Sequence, residues 1–472
     1  MSDINVITTD GNQTILNKSV IDDFKTKLLG NLIFKSDPDY DNVRVLWNGM
    51  IDRKPALIVR CSGTPDVIAS VNFAREHNLM ISARGGGHNV AGTASSDGGM
   101  MIDLSQMKGI RVDPDTRVAF VSPGATIHDV DHETQMFGLA TPMGINSTTG
   151  IAGLTLGGGF GWLSRSFGLT ADNLISADVL TADGKIINAN ENGTSDLLWG
   201  LRGGGGNFGI VTNFQYRLHP VGPQLLCGLI VHPFKDAHKV FKFYQDFTDK
   251  VTEKLSCYVV LRKAPPLPFL PEDVHGKEVF IIAIVYAGDI KEGEMILEPL
   301  RKFGNPVAEQ IGPAPYEVFQ QAFDPLLTPG ARNYWKSLNF KKFNNEAMDI
   351  ILKHVLQLPT PLSDIFIGNL GGAINRVEKD ATAYPHRDIN YIMNVHTRWE
   401  DKNLDDMCVE WARKFYNELS KFAEDSVYVN FISEGENRVT SAFGPNYEKL
   451  ARLKKKYDPD NFFKINQNIK PA

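Results

Sequence analysis

Long apolar runs and paired cysteines are both missing from this sequence. Its 4 cysteines, Cys61, Cys227, Cys257 and Cys408, lie far apart and form no CxxC pair. This spacing argues against a metal knuckle or a dense disulfide framework, and we expect four buried, reduced thiols. The longest apolar runs, such as residues 279–287, stop well short of the roughly 20 residues that cross a bilayer. We therefore expect no membrane span and no membrane partner.

An excess of positive charge is also missing. Lys and Arg total 49 against 55 Asp and Glu, which gives a formal net charge of -6, and the basic residues are spread along the chain. Nucleic acid is therefore not an expected partner, because no basic face is available for a phosphate backbone. Residues 1–18 are polar and contain no apolar stretch of signal-peptide length, so we expect a cytoplasmic protein. The sequence pattern does not indicate an oligomeric state.

The length of 472 residues predicts two or three domains. The composition of the chain changes once along its length. Residues 55–214 are rich in glycine and alternate short apolar runs with helical patterns. From about Pro220 onward glycine is sparser, and amphipathic segments at 236–250 and 404–422 predict helices. We expect these helices to cover a mainly antiparallel sheet in a second domain.

The glycine-rich part begins with a βαβ-like pattern. Apolar runs at 56–60 and 80–83 predict strands, and residues 65–77 between them have helical spacing after a Thr-Pro start. Further along, residues 177–180 and 185–189 predict a hairpin that turns at an Ala-Asp-Gly sequence.

Three glycine loops lie in this region, at residues 84–89, 157–161 and 203–209. Consecutive glycines let backbone N–H groups turn toward an anion and form a nest for phosphate or pyrophosphate. One such loop could be a mere tight turn, whereas three in one domain favour phosphate binding.

The third loop contains a formal GxGxxG pattern at Gly204, Gly206 and Gly209. A Rossmann loop follows a strand and opens a helix. Here a predicted helix at 196–201 precedes the loop, and a predicted strand at 210–214 follows it. The reversed order excludes a nicotinamide-type Rossmann site.

A separate acidic and histidine-rich cluster invites a metal interpretation. His128 and His132 are spaced i and i+4 on a predicted helix that also carries Asp129, Asp131 and Glu133. The HExxH motif is absent, however, and we predict no metal site.

Residues 82–89 resemble the histidine-bearing loop of the vanillyl-alcohol-oxidase-type FAD domain, in particular of its berberine-bridge-enzyme-like branch. The strings at 150–161, 168–173, 202–211 and 457–469 are similar to the same family in order and spacing. The resemblance therefore covers nearly the whole chain.

This resemblance implies an α+β fold with a divided FAD domain. A PCMH-type FAD-binding domain, built from two α/β subdomains, would occupy residues 1–220. A substrate domain with an antiparallel sheet backed by helices would occupy residues 221–424. The berberine-bridge-type segment 425–472 would then return to complete the FAD domain and close over the cofactor.

The resemblance also implies which residues hold FAD. His88 is similar to the histidine that is bonded to the flavin 8α-methyl group, and neutral imidazole is a good nucleophile near physiological pH. The expected cofactor-binding residues lie in the glycine loops, before the second loop and in the C-terminal segment: Arg84, Gly85, Gly86, Gly87, His88, Asn89, Gly144, Asn146, Thr148, Thr149, Gly150, Gly153, Gly157, Gly158, Gly209, Ile210, Val211, Asn430, Asn466 and Asn468.

Two positions before the second loop refine this expectation. Many relatives attach the flavin a second time, through a cysteine four residues before the glycine that corresponds to Gly150. Asn146 stands there, and an amide cannot form the thioether, so the resemblance implies a single attachment. Thr149 stands where the family controls oxygen access, and its small side chain favours oxygen as electron acceptor.

The strand at 390–396 is similar to the family strand that faces the flavin. Strand alternation puts Ile392, Asn394 and His396 on one face and Tyr391 on the other. Asn394 stands where relatives hold glutamine or glutamate above the ring, so we expect it to position the substrate.

Phe431 replaces the tyrosine that is the usual catalytic base of the family, in the segment 428–431. Nearby tyrosines are natural replacements. Strand alternation sets Tyr428 opposite to Phe431, and Tyr391 reaches the ring only if its strand is bulged. We predict that Tyr391 or Tyr428 accepts the proton, with His396, water or the substrate itself as alternatives.

These features predict an FAD-linked oxidase that acts on an alcohol, a sugar hydroxyl or a C–H group of a small organic substrate. Oxygen would be the acceptor and hydrogen peroxide the product. A dehydrogenase of the same fold that uses another acceptor is one alternative. A catalytically silent flavin-binding protein is another, because Phe431 replaces the usual base.

Overall fold

The computed structural model describes residues 3–472, which contain three larger β-sheets. The first sheet leads into the first glycine loop. Its parallel strands Leu57–Arg60, Met100–Asp103 and Ile81–Arg84 lie side by side, and Asn31–Phe34 pairs antiparallel with the outer edge of Leu57–Arg60. The helix Thr64–Glu76 links two of the parallel strands, which confirms the predicted βαβ pattern to within a residue or so.

The second sheet has five antiparallel strands, in the order Ile186–Ala189, Leu174–Leu180, Ile210–Arg217, Val118–Val121 and Ile110–Asp113. The predicted hairpin forms its first two strands. The helix Ser195–Leu201 precedes the third glycine loop and a strand follows it, so the order that excluded a Rossmann site is confirmed.

The third sheet is antiparallel and is called here the roof sheet. Its strands lie in the order Ala308–Pro315, Gln224–Pro233, Glu278–Tyr286, Leu255–Lys263, Asp364–Asn369, Tyr391–Trp399 and Arg332–Phe340. One face packs against four helices, which confirms the expected architecture: Ala237–Thr248, Ile290–Lys302, Asn345–Val355 and Asp405–Leu419. The other face is turned toward the glycine loops.

The shorter elements complete the fold. The strand pairs are Ile4–Ile7 with Gln13–Leu16 and Leu139–Ala140 with His219–Pro220. The other α-helices are Lys18–Thr26, Tyr40–Arg44, Ile127–Gln135, Ile151–Leu156, Ser164–Phe167, Tyr316–Gln320, Ala373–Arg376, Val439–Phe443 and Tyr447–Tyr457. Within residues 3–472, no helix combines the length and the apolar character needed to cross a membrane.

The end of the C-terminal segment packs on the second sheet, whereas its first residues also contact the roof-sheet strand Arg332–Phe340. Leu450, Leu453 and Ile469 are buried in the same cluster as Leu197 and Phe214. The strand His219–Pro220 belongs to the glycine-loop side, and the roof sheet begins shortly afterwards. On this distribution we propose the domain division 1–220, 221–424 and 425–472.

A buried ion pair fixes the end of the chain. Lys454 and Asp458 are fully buried with their charged atoms 2.6 Å apart. Lys454 Nζ also donates to the carbonyl oxygens of Asn207, at 2.7 Å, and of Phe463, at 2.9 Å. The Asp458 carboxylate accepts from the N–H groups of Phe462 and Phe463. The pair therefore joins the third glycine loop to the C-terminal tail.

Removing one member of this pair should be costly. Burial lowers the pKa of Lys454, and in a Lys454→Met variant the Asp458 carboxylate would stay buried without its counter-charge. We expect a loss of about 3–5 kcal/mol in the free energy of unfolding, measured by urea denaturation. The matched control is Lys456→Met on the same helix, which removes an exposed pair with Asp196 and should cost less than about 1 kcal/mol. Equal losses in both variants would contradict this account.

Candidate active site

A cavity of about 410 Å³ lies between the roof sheet and the glycine loops. This volume is within the usual range for small-molecule and cofactor sites. Residues from all three glycine loops, the roof sheet and the C-terminal tail line it. The parts of the sequence that carry the predicted chemistry therefore meet at one place.

Two glycines, Gly86 and Gly150, bring the first loop against the start of the helix Ile151–Leu156. A Cβ atom on Gly86 would lie 2.4 Å from the nitrogen of Gly150, and a Cβ on Gly150 would lie 2.3 Å from the nitrogen of Gly86. Both distances are shorter than any real Cβ contact, so only glycine fits at either position. The contact sets His88 beside Thr148 and Thr149.

The first loop offers free backbone donors. Within residues 3–472, the N–H groups of Gly85, Gly86, Gly87 and His88 donate to no protein acceptor, although the Gly87 carbonyl accepts from Trp47. Successive free N–H groups form an anion nest. A Cβ on Gly153 or on Gly206, which also line the cavity, would project into open space. This cradle and its donors fit the phosphates and the extended shape of FAD.

His88 is held in one tautomer by its neighbours. Its Nε2 atom lies 3.0 Å from Thr148 Oγ1, and that hydroxyl donates its only proton to Asn146 Oδ1 at 2.6 Å. Thr148 Oγ1 can therefore only accept from His88, which assigns the ring proton to Nε2 and leaves Nδ1 with its lone pair. Thr149 Oγ1 is 3.5 Å from Nδ1. Burial lowers the pKa of His88 to about 4, so the ring is neutral at pH 7.

The third loop and the C-terminal tail close the far end of the cavity. Asn207 Nδ2 donates to the carbonyl oxygens of Gly204 and Gln467, and Asn207 Oδ1 accepts from the N–H of Ile469. Asn466 lines the cavity, and its buried Oδ1 atom has no protein partner within residues 3–472. An unpartnered buried oxygen at the wall is a polar contact available to a bound molecule.

The strand Tyr391–Trp399 confirms the predicted alternation. Asn394 and His396 line the cavity. Tyr391 lies on the opposite face, in the core beneath the helices, where its hydroxyl is 2.9 Å from Thr248 Oγ1. The pairing of this strand with both neighbours is continuous and contains no bulge. Tyr391 therefore cannot accept a proton from a substrate in this cavity, which corrects the expectation that it could be the base.

Tyr428 does line the cavity, but the alternation assumed for its segment is wrong. Residues Val429–Phe431 form a 3₁₀-helical turn, in which positions i and i+3 share a side. The rings of Tyr428 and Phe431 are consequently neighbours, with centroids 5.0 Å apart. The Tyr428 oxygen accepts from Gly159 N–H at 3.0 Å and from Asn430 Nδ2 at 2.9 Å. Burial raises the pKa of Tyr428 to about 12, against the lowering effect of these two donors.

Aromatic side chains that sequence reasoning missed surround these polar groups. Trp47 stacks on His88 with ring centroids 5.0 Å apart, and Trp335 contacts Trp47, His396 and Phe431 edge to face. Trp47 precedes the glycine-rich region, and Trp335 lies on a strand with no recognised motif. No sequence signal identifies Trp335, because only the register of the roof sheet, in which it pairs directly with His396, places it at the cavity.

Most predicted cofactor-binding residues line the cavity, but four do not. Arg84 turns to a separate polar pocket, where its guanidinium bonds the Val43 carbonyl. Thr148 stands behind His88, and Gly158 packs on Tyr384. Asn468 lies beyond the lining tail residues. The predicted residues that do line the wall are Gly85, Gly86, Gly87, His88, Asn89, Gly144, Asn146, Thr149, Gly150, Gly153, Gly157, Gly209, Ile210, Val211, Asn430 and Asn466.

The histidine-rich helix lies away from this wall. His132 Nδ1 is 2.9 Å from a carboxylate oxygen of Glu317, in an exposed ion pair. Asp131 is fully buried, and burial raises its pKa well above the usual range. Among residues 3–472, no group of three or more His, Cys, Asp or Glu side chains is arranged to hold a metal ion.

Two family models match the chain. Residues 55–190 match the model described as FAD binding domain, and residues 427–470 match the model described as berberine and berberine like. The first match covers the loop with His88 and the second loop, and the other covers Tyr428 and the C-terminal tail.

Known proteins are similar over the same length. An FAD-linked oxidoreductase of Dictyostelium discoideum is 32% identical over 98% of this chain and 99% of its own. The crystal structure of 6-hydroxy-D-nicotine oxidase from Arthrobacter nicotinovorans has a TM-score of 0.85 at 26% identity, over 94% of this chain and 98% of that one. The fold is also shared with Phl p 4, a grass pollen allergen with glucose dehydrogenase activity, at a TM-score of 0.83 and 22% identity over 96% and 99% of the two chains. The chain is an FAD-linked oxidoreductase of the berberine-bridge-enzyme-like family.

Proposed function

We propose that this oxidoreductase carries FAD covalently on His88, oxidises an alcohol, sugar hydroxyl or C–H group of a small organic molecule, and passes the electrons to oxygen. The observation that carries the proposal is the neutral, single-tautomer imidazole of His88 at the wall of the cavity, next to an anion nest. A free lone pair on Nδ1 is the nucleophile that such an attachment requires.

Single attachment is supported by the chemistry of the surrounding side chains. Asn146 occupies the place of a second attachment and uses its Oδ1 atom to accept from Thr148. The four cysteines are all free and buried, and none of them lines the cavity. Burial raises the pKa of Cys61, Cys227 and Cys257, which disfavours the reactive thiolate.

FAD held along the glycine loops and at His88 would supply a two-electron acceptor for the substrate, with oxygen as the final acceptor and hydrogen peroxide as the product. The side chains of the protein orient the substrate and move its proton. Asn394 has a buried Oδ1 atom without a protein partner among residues 3–472, which suits it to accept from a substrate hydroxyl. The Tyr428 oxygen, between two donors, is the proposed base, because those donors stabilise a phenolate.

Oxygen as acceptor is supported by the size of Thr149, which lines the cavity next to His88. A larger side chain there would fill space beside the nest. 6-Hydroxy-D-nicotine oxidase and Phl p 4, which has glucose dehydrogenase activity, share the fold, so the fold is compatible with both kinds of acceptor.

Attachment at His88 is tested by acid precipitation. The wild-type protein should stay yellow in the precipitate, whereas a His88→Ala variant should release all of its colour to the supernatant. The variant should still bind some FAD, because the anion nest remains. His132→Ala, which changes a histidine outside the cavity, is the matched control and should behave like wild type. Complete release of colour from the wild-type protein would contradict attachment.

The acceptor is tested at Thr149. A Thr149→Leu change should slow reoxidation of the reduced protein by air roughly tenfold or more, an increase of about 1.4 kcal/mol in the barrier, because it obstructs oxygen. Flavin reduction by substrate should change little, and Thr149→Ser should keep fast reoxidation. Stopped-flow absorbance measures both half-reactions. Wild-type reoxidation slower than turnover with an artificial acceptor would instead favour a dehydrogenase.

The base is tested by the pH profile of flavin reduction. With a pKa of about 12, the Tyr428 phenolate fraction grows about tenfold per pH unit below that value, so the wild-type reduction rate should rise with pH. Tyr428→Phe should lower the rate on the order of a hundredfold and flatten the profile. Tyr391→Phe removes a phenol on the opposite face of the roof sheet and should leave the profile intact. If the pH profile of flavin reduction is unchanged in Tyr428→Phe, Tyr428 is not the base, and His396, water or the substrate must accept the proton.

A further inference from the structure

A charged row crosses the cavity face of the roof sheet. Arg262 pairs in register with Asp364 on the neighbouring strand, and Asp364 pairs with His396 on the next. All three side chains line the cavity. Side chains of one row on adjacent strands point the same way, so the row presents a cation, a carboxylate and an imidazole side by side.

Arg262 is buried without a partner for its charge. Only 6% of the residue is exposed, and within residues 3–472 no carboxylate forms an ion pair with it. Its single protein hydrogen bond in that range runs from Nε to the carbonyl oxygen of Lys263, at 3.2 Å, which leaves both terminal nitrogens unused. The Asp364 carboxylate is instead 3.4 Å from His396 Nδ1.

A second buried cation strengthens the local positive charge. Arg398 is 2% exposed and donates to the Thr328 carbonyl and to Asn333 Oδ1, which are neutral acceptors. Arg262 and Asp364 both lie close enough to Arg398 to influence its pKa. Arg398 does not itself line the cavity, but its guanidinium lies over the ring of Trp47, which does, so it adds buried positive charge close to the row. An arginine buried without a counter-charge is costly, and a planar anion bound bidentately would remove that cost.

The adjacent row of side chains is apolar except for Asn394, the residue proposed to position the substrate. Val260, Phe366 and Asn394 pair across the same three strands, two residues further along. Two residues of a strand span roughly 7 Å. Tyr258 and Trp162, which stack with centroids 4.5 Å apart, continue the wall. A flat ring would fit between the charged row and Asn394.

We propose that the substrate is a ring-containing carboxylate, whose carboxylate is bound by the terminal nitrogens of Arg262 while its oxidised carbon lies beside Asn394. This assignment of substrate class rests on the proposed function, because it takes Asn394 as the residue that positions the reacting group. Arg262 is then the residue that selects anionic over neutral substrates. Asp364, which pairs in register with Arg262, would repel a second anionic group.

Binding of non-reacting probes tests the proposal without turnover. The probes are benzoate and phenylacetate, each compared with its neutral amide. Binding is followed in the holoenzyme by the flavin absorbance and by the fluorescence of the cavity tryptophans Trp47, Trp162 and Trp335. At least one acid should bind on the order of tenfold to a hundredfold more tightly than its amide, as expected for a hydrogen-bonded charge. Arg262→Gln should abolish this preference and Arg262→Lys should restore part of it.

The control variant is Arg111→Gln, which removes a cation that stacks on Phe120 outside the cavity and should keep the preference for acids. Amides that bind as tightly as the acids, acids that fail to bind at their solubility limit, or an unchanged preference in Arg262→Gln would each overturn the proposal. A protein that binds the acids through Arg262 but lacks covalent flavin would contradict the proposed function alone.

Discussion

The close contact of the Gly86 and Gly150 backbones determines the geometry of the whole site. Neither position has room for a Cβ atom, so the first glycine loop lies directly on the start of the helix Ile151–Leu156. This contact sets His88 against Thr148 and Thr149, and it turns the free N–H groups of the loop into one wall of the cavity. Every role proposed for the loop depends on that approach.

In the roof sheet, strand alternation places core residues on one face and cavity residues on the other. Met393 and Val395 enter the core beneath the helices, whereas Asn394 and His396 face the cavity. The same rule separates Val259 from Val260 on a neighbouring strand. One face of the sheet is therefore available for stability and the other for substrate selection, so residues of the cavity face can change without loss of the core.

Hydrophobic periodicity and local motifs explain which parts of the fold and of the site could be predicted from the sequence. The order of helix, glycine loop and strand at the third loop, the antiparallel roof sheet and the cavity side of Asn394 follow from local patterns, and the structure contains all three. The position of Tyr428 does not follow from a local pattern, because a 3₁₀ turn replaces the assumed strand. Trp47 and Arg262 also carry no local signal. They reach the cavity only through long-range packing, which a single sequence does not encode in its spacing.

The covalent bond between His88 and FAD is the claim from which the rest of the chemistry follows, and the mass of the denatured protein tests it most directly. The account predicts that the intact polypeptide of 52.4 kDa is heavier by one FAD, and that proteolysis confines this added mass to the peptide containing His88. A mass equal to the polypeptide alone, two added flavins, or an added mass on any cysteine peptide would contradict it.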